Sequence, residues 1–148
     1  MYLLTALNLA LHGWQAVRVD IDRRIIPNRL LLSLCVFQCL IFVIQYRSDW
    51  PEILLQSLIG GVVVLIPYVS LSLLSQGKFG MGDAKALAVT SAILISLSWQ
   101  SVVLHLVITH LIGLTIGLYA LAKKSTKPIA YAIPIFLSAT LVVMFSAF

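Results

Sequence analysis

Long apolar runs, separated by short charged segments, make up most of this chain. The runs that contain no Asp, Glu, Lys or Arg are residues 1–17, 30–46, 53–77, 86–122 and 128–148. A helix needs about 20 residues to cross a hydrocarbon core of ~30 Å. The run 86–122 has 37 residues and would form a helix of about 55 Å, so we expect it to turn near residues 98–101. The pattern therefore predicts six transmembrane helices, at roughly residues 2–18, 30–46, 53–76, 83–98, 101–122 and 128–147.

Composition supports this assignment. Of the 148 residues, 61% are hydrophobic and 10% are charged, whereas soluble domains carry about 25% charged residues. An ordinary cytosolic domain, a disordered chain and a coiled coil are all excluded. Since six crossings use nearly the whole chain, we expect a single all-α membrane domain over residues 1–148, with any chemistry on its helices or short connections.

The first predicted span is the least apolar, because Asn8, His12 and Gln15 interrupt it. A cleaved signal peptide is the alternative. Signal peptides have a basic segment before the apolar stretch and a small-residue cleavage site after it. Neither feature precedes Arg18, so we expect a retained helix.

Basic residues concentrate in alternate connections. Nine of the ten Lys and Arg residues flank the first, third and fifth connections, and only Arg47 lies in the second. The positive-inside rule places those three connections in the cytoplasm and both termini outside. Trp50 and Trp99 then lie at the outer interface, where indole rings are favoured. The net charge of +5 is thereby explained by topology and by attraction to anionic lipid, without nucleic acid as a partner.

Three of the five acidic residues, Asp20, Asp22 and Asp83, belong to the predicted cytoplasmic face. Ionisable groups at a membrane boundary are costly and mark candidate functional sites. Two carboxylates at close range can share one proton and act as general acid and general base on a water molecule and a peptide bond. Two structural alternatives stay open: Asp20 is neutralised by neighbouring arginines, or Asp83 caps the N-terminus of a helix.

Other polar features favour structural roles. Cys35 and Cys39 supply too few ligands for a zinc site, and His105 and His110 are spaced by five residues, which separates them around a helix. We expect no metal centre. The glycine-rich run 77–82 does not match a phosphate-binding loop, which also requires a preceding strand. Gly113 has the small-xxx-small spacing, with Gly117, that permits close helix contact.

Two motifs together resemble the prepilin peptidases, or type IV leader peptidases, a branch of the Gly-x-Gly-Asp aspartic membrane proteases. Residues 80–83 read Gly-Met-Gly-Asp, with Lys85 after them, and resemble the second catalytic motif of that family. Asp20, followed by Ile-Pro-Asn at 26–28, resembles the first. In the family the first catalytic Asp stands seven residues before the proline, which selects Asp20 over Asp22. The stretch 127–134 is similar to the proline-containing segment that opens the last helix.

The resemblance implies specific roles. Asp20 and Asp83 would be catalytic, and no cofactor would be needed. Four residues would support the motif backbone: Gly80, Gly82, Pro27 and Asn28. Four basic residues could modulate the charge of the pair: Lys85, Lys78, Arg23 and Arg24.

The resemblance also implies a substrate and a location. The substrate would be a prepilin or pseudopilin with a short basic leader, cut at the cytoplasmic face of the bacterial inner membrane. The chain is similar to the short enzymes of tight-adherence (Flp-type) pili. It lacks the cysteine-bearing N-terminal insert of the bifunctional members, so we expect no methyltransferase activity.

Two other functions remain as alternatives. A small proton- or ion-coupled transporter would use the same acids as charge relays and would place them in the middle of the membrane. A non-enzymatic subunit of a pilus or secretion machine would use Asp83 as a helix cap, a role that Asn fills nearly as well.

Overall fold

A computed structural model describes residues 2–76, 79–124 and 130–146. The described residues form six helices: α1 Leu3–Arg23, α2 Asn28–Tyr46, α3 Trp50–Leu74, α4 Met81–Ile95, α5 Trp99–Ala122 and α6 Ala132–Phe145. The prediction of an all-helical chain is confirmed. The long uncharged run breaks after Ile95, slightly before the expected turn, because the Ser98 side chain accepts the backbone N–H of Ser101 at 3.1 Å and starts α5.

Three helices, α2, α3 and α5, are long and apolar enough to cross a membrane. The described parts of α4 and α6 have 15 and 14 residues, or about 22 and 21 Å, which is shorter than a hydrocarbon core of ~30 Å. Helix α1 has 21 residues, but its polar side chains lower its hydropathy. The protein is thus a membrane protein, while six crossings and the side on which the termini lie stay predictions.

Helix α1 runs further than the sequence suggests. It continues five residues past the expected end at residue 18, so that Asp20 lies inside the helix rather than after it. The reason is a buried face: Ala16 and Asp20 are four residues apart and both face the bundle. Arg24 ends the helix in the left-handed conformation (φ 57°), with its N–H on the Asp20 carbonyl oxygen at 3.0 Å.

Helix α4 lies at the centre of the bundle and packs against α2, α3, α5 and α6. Small residues allow the closest of these approaches. A Cβ atom at Gly61 of α3 would lie only 3.0 Å from Cβ of Ala92 on α4. Helix α1 packs against α2 and α6, and Gly13 faces Phe136 of α6 so closely that a Cβ there would be 2.7 Å from the Phe136 Cβ. Helices α2 and α6 therefore connect α1 to α4.

Buried polar side chains pair across these helices, as an apolar surrounding requires. On α1, the Asn8 amide donates to Oε1 of Gln38 on α2 at 3.0 Å. The Gln38 amide in turn donates to Oγ1 of Thr5 at 3.2 Å. A second cluster joins α4, α5 and α6 around His105.

Candidate active site

Asp20 is held by a backbone group from the far end of the chain. Its side chain is 6% exposed, and Oδ2 accepts the N–H of Ala132 at 3.1 Å. Ala132 is the first residue of α6, and the first N–H groups of a helix have no partner within it. Packing of α1 on α6 therefore supplies the Asp20 carboxylate with a donor 112 residues away in sequence.

Asp20 is not paired with the arginines beside it in the sequence. Over residues 2–76, 79–124 and 130–146, no basic side chain forms an ion pair with it. Arg23 and Arg24 are exposed, and so is Asp22. The interpretation of Asp20 as a loop acid paired with arginines is therefore wrong, and the local signal missed both the helical setting and the true donor.

Asp83 lies at the third position of α4, whose N-cap is Gly80. Of the two roles left open from the sequence, the one in which Asp83 is itself the N-cap residue is therefore excluded. Its carboxylate turns back towards Gly80, where a Cβ atom would lie 2.7 Å from Oδ2. Gly80 has ordinary extended dihedrals (φ −68°, ψ 131°), so glycine is needed at this position for space and not for backbone freedom.

The two carboxylates interact electrostatically. Asp83 lies before the uncharged run that begins at Ala86. Burial and, to a smaller extent, the negative charge of Asp20 together raise the pKa of the Asp83 carboxyl to about 6, against the opposing effect of a hydrogen bond from the Gly80 backbone. A carboxyl with this pKa holds a proton to much higher pH than an exposed Asp, which is the property that a general acid needs.

The segments that carry the two motifs touch each other. A Cβ atom at Gly82 would lie 3.4 Å from the backbone nitrogen of Ile26, in ordinary contact. The Lys85 ammonium donates to Oδ1 of Asn28 at 3.3 Å, and Pro27 is the N-cap of α2. The motif-support residues named from the sequence therefore meet at one end of the bundle. Lys78 lies outside the described residues.

Tyr131 lies beside the two acids, within the stretch 127–134 that resembles the family but to which the sequence assigned no site residue. It is the N-cap of α6, next to the N–H that binds Asp20, and burial, then Tyr68 and Asp83, raise the pKa of its hydroxyl. The centroids of the Tyr131 and Phe79 rings are 6.1 Å apart. The Tyr131 ring also packs on Gly113, where an added Cβ would lie 2.7 Å from Cε2 of the tyrosine. Gly113 thus makes room for a tyrosine, a pairing that its helical spacing alone did not indicate.

Residues able to hold a metal are scattered. In the described ranges, no group of three or more His, Cys, Asp or Glu side chains is placed to bind an ion. Cys35 and Cys39 are free thiols. What the described end of the bundle offers chemically is a pair of interacting carboxylates.

The described residues thus form a helical bundle with two interacting acids at one end. The family model of the type IV leader peptidase family matches residues 7–118, so the chain belongs to this family, as its motifs suggested. No curated protein and no solved structure matches the chain. The family implies a membrane peptidase. The matched segment includes Asp20 and Asp83 and ends before Ala132, whose N–H binds Asp20.

Proposed function

We propose that this chain is an aspartic endopeptidase that removes the short leader of a prepilin or pseudopilin at the cytoplasmic face of the membrane. Asp20 and Asp83 are the catalytic pair in this proposal. The observation that carries it is the electrostatic coupling of the two acids in a chain of the leader peptidase family. Their motif segments also touch through Lys85 and Asn28.

The two environments support different roles. Oδ2 of Asp20 already accepts a backbone N–H, which fits a carboxylate that acts as an acceptor. Asp83, with its pKa raised to about 6, fits the acid because it holds its proton to higher pH than an exposed Asp. Asp20 then serves as the general base and Asp83 as the general acid.

The reaction follows from these roles. The water oxygen attacks the carbonyl carbon of the scissile peptide bond, one water proton moves to Asp20, and the Asp83 proton moves to the carbonyl oxygen. The tetrahedral diol collapses when the C–N bond breaks. The proton on Asp20 goes to the leaving nitrogen, and a diol proton returns to Asp83. The pair ends in its starting protonation state, and no covalent enzyme intermediate forms.

The charge distribution supports the proposed orientation. Arg23, Arg24 and Lys85 lie at the same end of the bundle as the two acids, and basic connections face the cytoplasm. Anionic lipid on that side would attract them. Cleavage on the cytoplasmic side would occur where the leader meets the apolar helix of the substrate.

One feature disfavours the transporter. A transporter would have its acids midway along the bundle, whereas Asp20 and Asp83 lie near helix ends. A purely structural subunit would use Asp83 to satisfy the first turn of α4, a role that its hydrogen bond from the Gly80 backbone permits, and the Asp83→Asn variant separates that role from catalysis.

Coexpression with a candidate prepilin, in bacteria that lack their own leader peptidase, tests the proposal. Leader removal is scored by gel shift, and immunoblots of the membrane fraction check that each variant is made. We expect Asp20→Asn and Asp83→Asn each to lose processing, by about 1,000-fold or more. The exposed Asp22→Asn is the matched control and should retain it. Processing at the native rate by either of the first two variants would contradict the proposal.

A further inference from the structure

A continuous chain of hydrogen bonds crosses the interior of the bundle from α6 through α5 to α4. It consists of Thr109, Ser138, His105 and Thr90, all four of which are 0% exposed. Thr109 Oγ1 lies 2.6 Å from Ser138 Oγ. His105 Nδ1 lies 2.7 Å from Ser138 Oγ, and His105 Nε2 lies 2.9 Å from Thr90 Oγ1.

One assignment satisfies the network with a neutral imidazole. The Thr90 hydroxyl donates to the Ala86 carbonyl at 2.9 Å, so its oxygen accepts from His105 Nε2–H. The Ser138 hydroxyl, which also lies 3.0 Å from the Ile135 carbonyl oxygen, then donates to His105 Nδ1 and accepts from Thr109. Both ring nitrogens and all three hydroxyls have a partner in this assignment. A fully satisfied buried network rigidifies the elements that it joins.

These hydrogen bonds lie close to the candidate site along both α4 and α6. Thr90 is seven residues after Asp83, and Ser138 is six residues after Ala132. At 1.5 Å per residue these separations are about 10 and 9 Å. The imidazole therefore joins α4 and α6 at nearly equal depths below Asp83 and below the N–H that binds Asp20.

We propose that His105 is a positioning residue, which fixes the register of α4 against α6 and thereby the placement of Asp83 relative to Asp20. The inference rests on the proposed function in its use of those two acids. If either helix slid along the other, Asp83 would move relative to the Ala132 N–H and therefore relative to the Asp20 carboxylate, which accepts that N–H. A misplacement of about 1 Å costs catalysis about 100-fold, whereas a single interhelical hydrogen bond adds little to the stability of a membrane bundle.

The first test is steady-state cleavage of a synthetic leader substrate by the purified full-length protein. His105→Leu removes both links at similar volume, and we expect kcat to fall about 100-fold with KM changed less than about two-fold. His105→Gln carries a donor near the position of Nε2 and should recover about ten-fold of that loss. Retention of native kcat by His105→Leu would overturn the proposal.

A matched control separates positioning from packing. Leu94 is fully buried on α4, and Leu94→Ala removes packing without touching the hydrogen-bond chain. We expect it to lower Tm at least as much as His105→Leu while kcat stays within about three-fold of native. Equal loss of kcat in the two variants at equal Tm would show a merely structural role. Should His105→Leu not fold, Thr90→Val and Ser138→Ala interrupt the same chain with smaller changes, and native kcat in both would overturn the proposal.

A readout without activity keeps this inference separate from the proposed function. Nitroxide labels at Met81→Cys on α4 and Leu137→Cys on α6, both exposed positions, report the distance between the two helices in a chain with Cys35→Ser and Cys39→Ser. We expect a narrow distance distribution that broadens with His105→Leu and not with Leu94→Ala. An unchanged distribution would refute the positioning role. Failure of the native chain to cleave any leader, with the broadening observed, would instead refute the proposed function alone.

Discussion

The two acids of the candidate site are held in opposite ways. Asp83 is positioned locally, because it lies in the first turn of α4 and folds back on Gly80, three residues before it. Asp20 is positioned by a distant element, since its carboxylate accepts the N–H of Ala132 on α6. One acid is therefore fixed by a short motif and the other by the assembly of the bundle.

This contrast explains why the two motifs differ in sequence character. A local turn needs particular residues at fixed spacing, and the Gly-x-Gly-Asp run supplies them. A carboxylate bound by a helix N-terminus needs only a buried position and a partner at the right depth, because any residue other than proline offers the same N–H. The first motif accordingly contains little besides the acid and the proline that starts α2.

The largest effect on the local positioning of Asp83 is expected for Gly80→Ala. The added Cβ would lie 2.7 Å from Oδ2 of Asp83 and would force the carboxylate out of its present position. We expect kcat/KM for leader cleavage to fall about 100-fold, with Tm almost unchanged because the displaced atoms are the end of one side chain. Cleavage kinetics and thermal unfolding of the purified variant measure both effects.

Gly82→Ala is the matched control for this substitution. A Cβ there would meet Ile26 at 3.4 Å, an ordinary contact, so the loss should be less than about five-fold. Equal losses in the two variants would show that both glycines serve the backbone and not the Asp83 carboxylate.

The pH dependence sharpens the contrast further. Since burial and the charge of Asp20 raise the pKa of Asp83 to about 6, the proton that Asp83 donates is present below that pH and is lost above it. We expect kcat/KM to fall about ten-fold per pH unit on the alkaline side of pH 6. A profile measured over pH 5 to 8, with substrate below KM, checks this expectation. A constant kcat/KM up to pH 8 would contradict the assignment of Asp83 as the acid.

The smallest effect is expected at the contact between the two motif segments. Lys85 donates to Asn28 at a partly exposed position, where such interactions contribute little. Lys85→Met should reduce kcat/KM by about three-fold or less. If Asn28→Ala lowers kcat/KM by the same factor, and the double variant lowers it no further, the loss is due to the hydrogen bond between Lys85 and Asn28 alone. A loss above about 30-fold in Lys85→Met alone would mean that its charge acts directly on the acids.

Much of the architecture could be predicted from the chain because helix formation in this protein follows local hydropathy. The six helices lie within a few residues of the predicted spans, except where burial of Asp20 extends α1 to Arg23. That extension escaped prediction because charged residues after Val17 end the apolar run, while the helix continues as long as one of its faces is covered. The face of α1 that carries Asp20 is buried by packing against α6, which the sequence of α1 does not indicate.

The sequence by itself determined the membrane class, the helices and the family, since apolar runs and short motifs are local properties. The tertiary structure decided which groups surround the acids: the Ala132 N–H on Asp20, the room that Gly113 leaves for Tyr131, and the His105 link between α4 and α6. These partners lie 15 to 112 residues apart. Their contacts depend on the depth and rotation of packed helices, which no local pattern in the chain specifies.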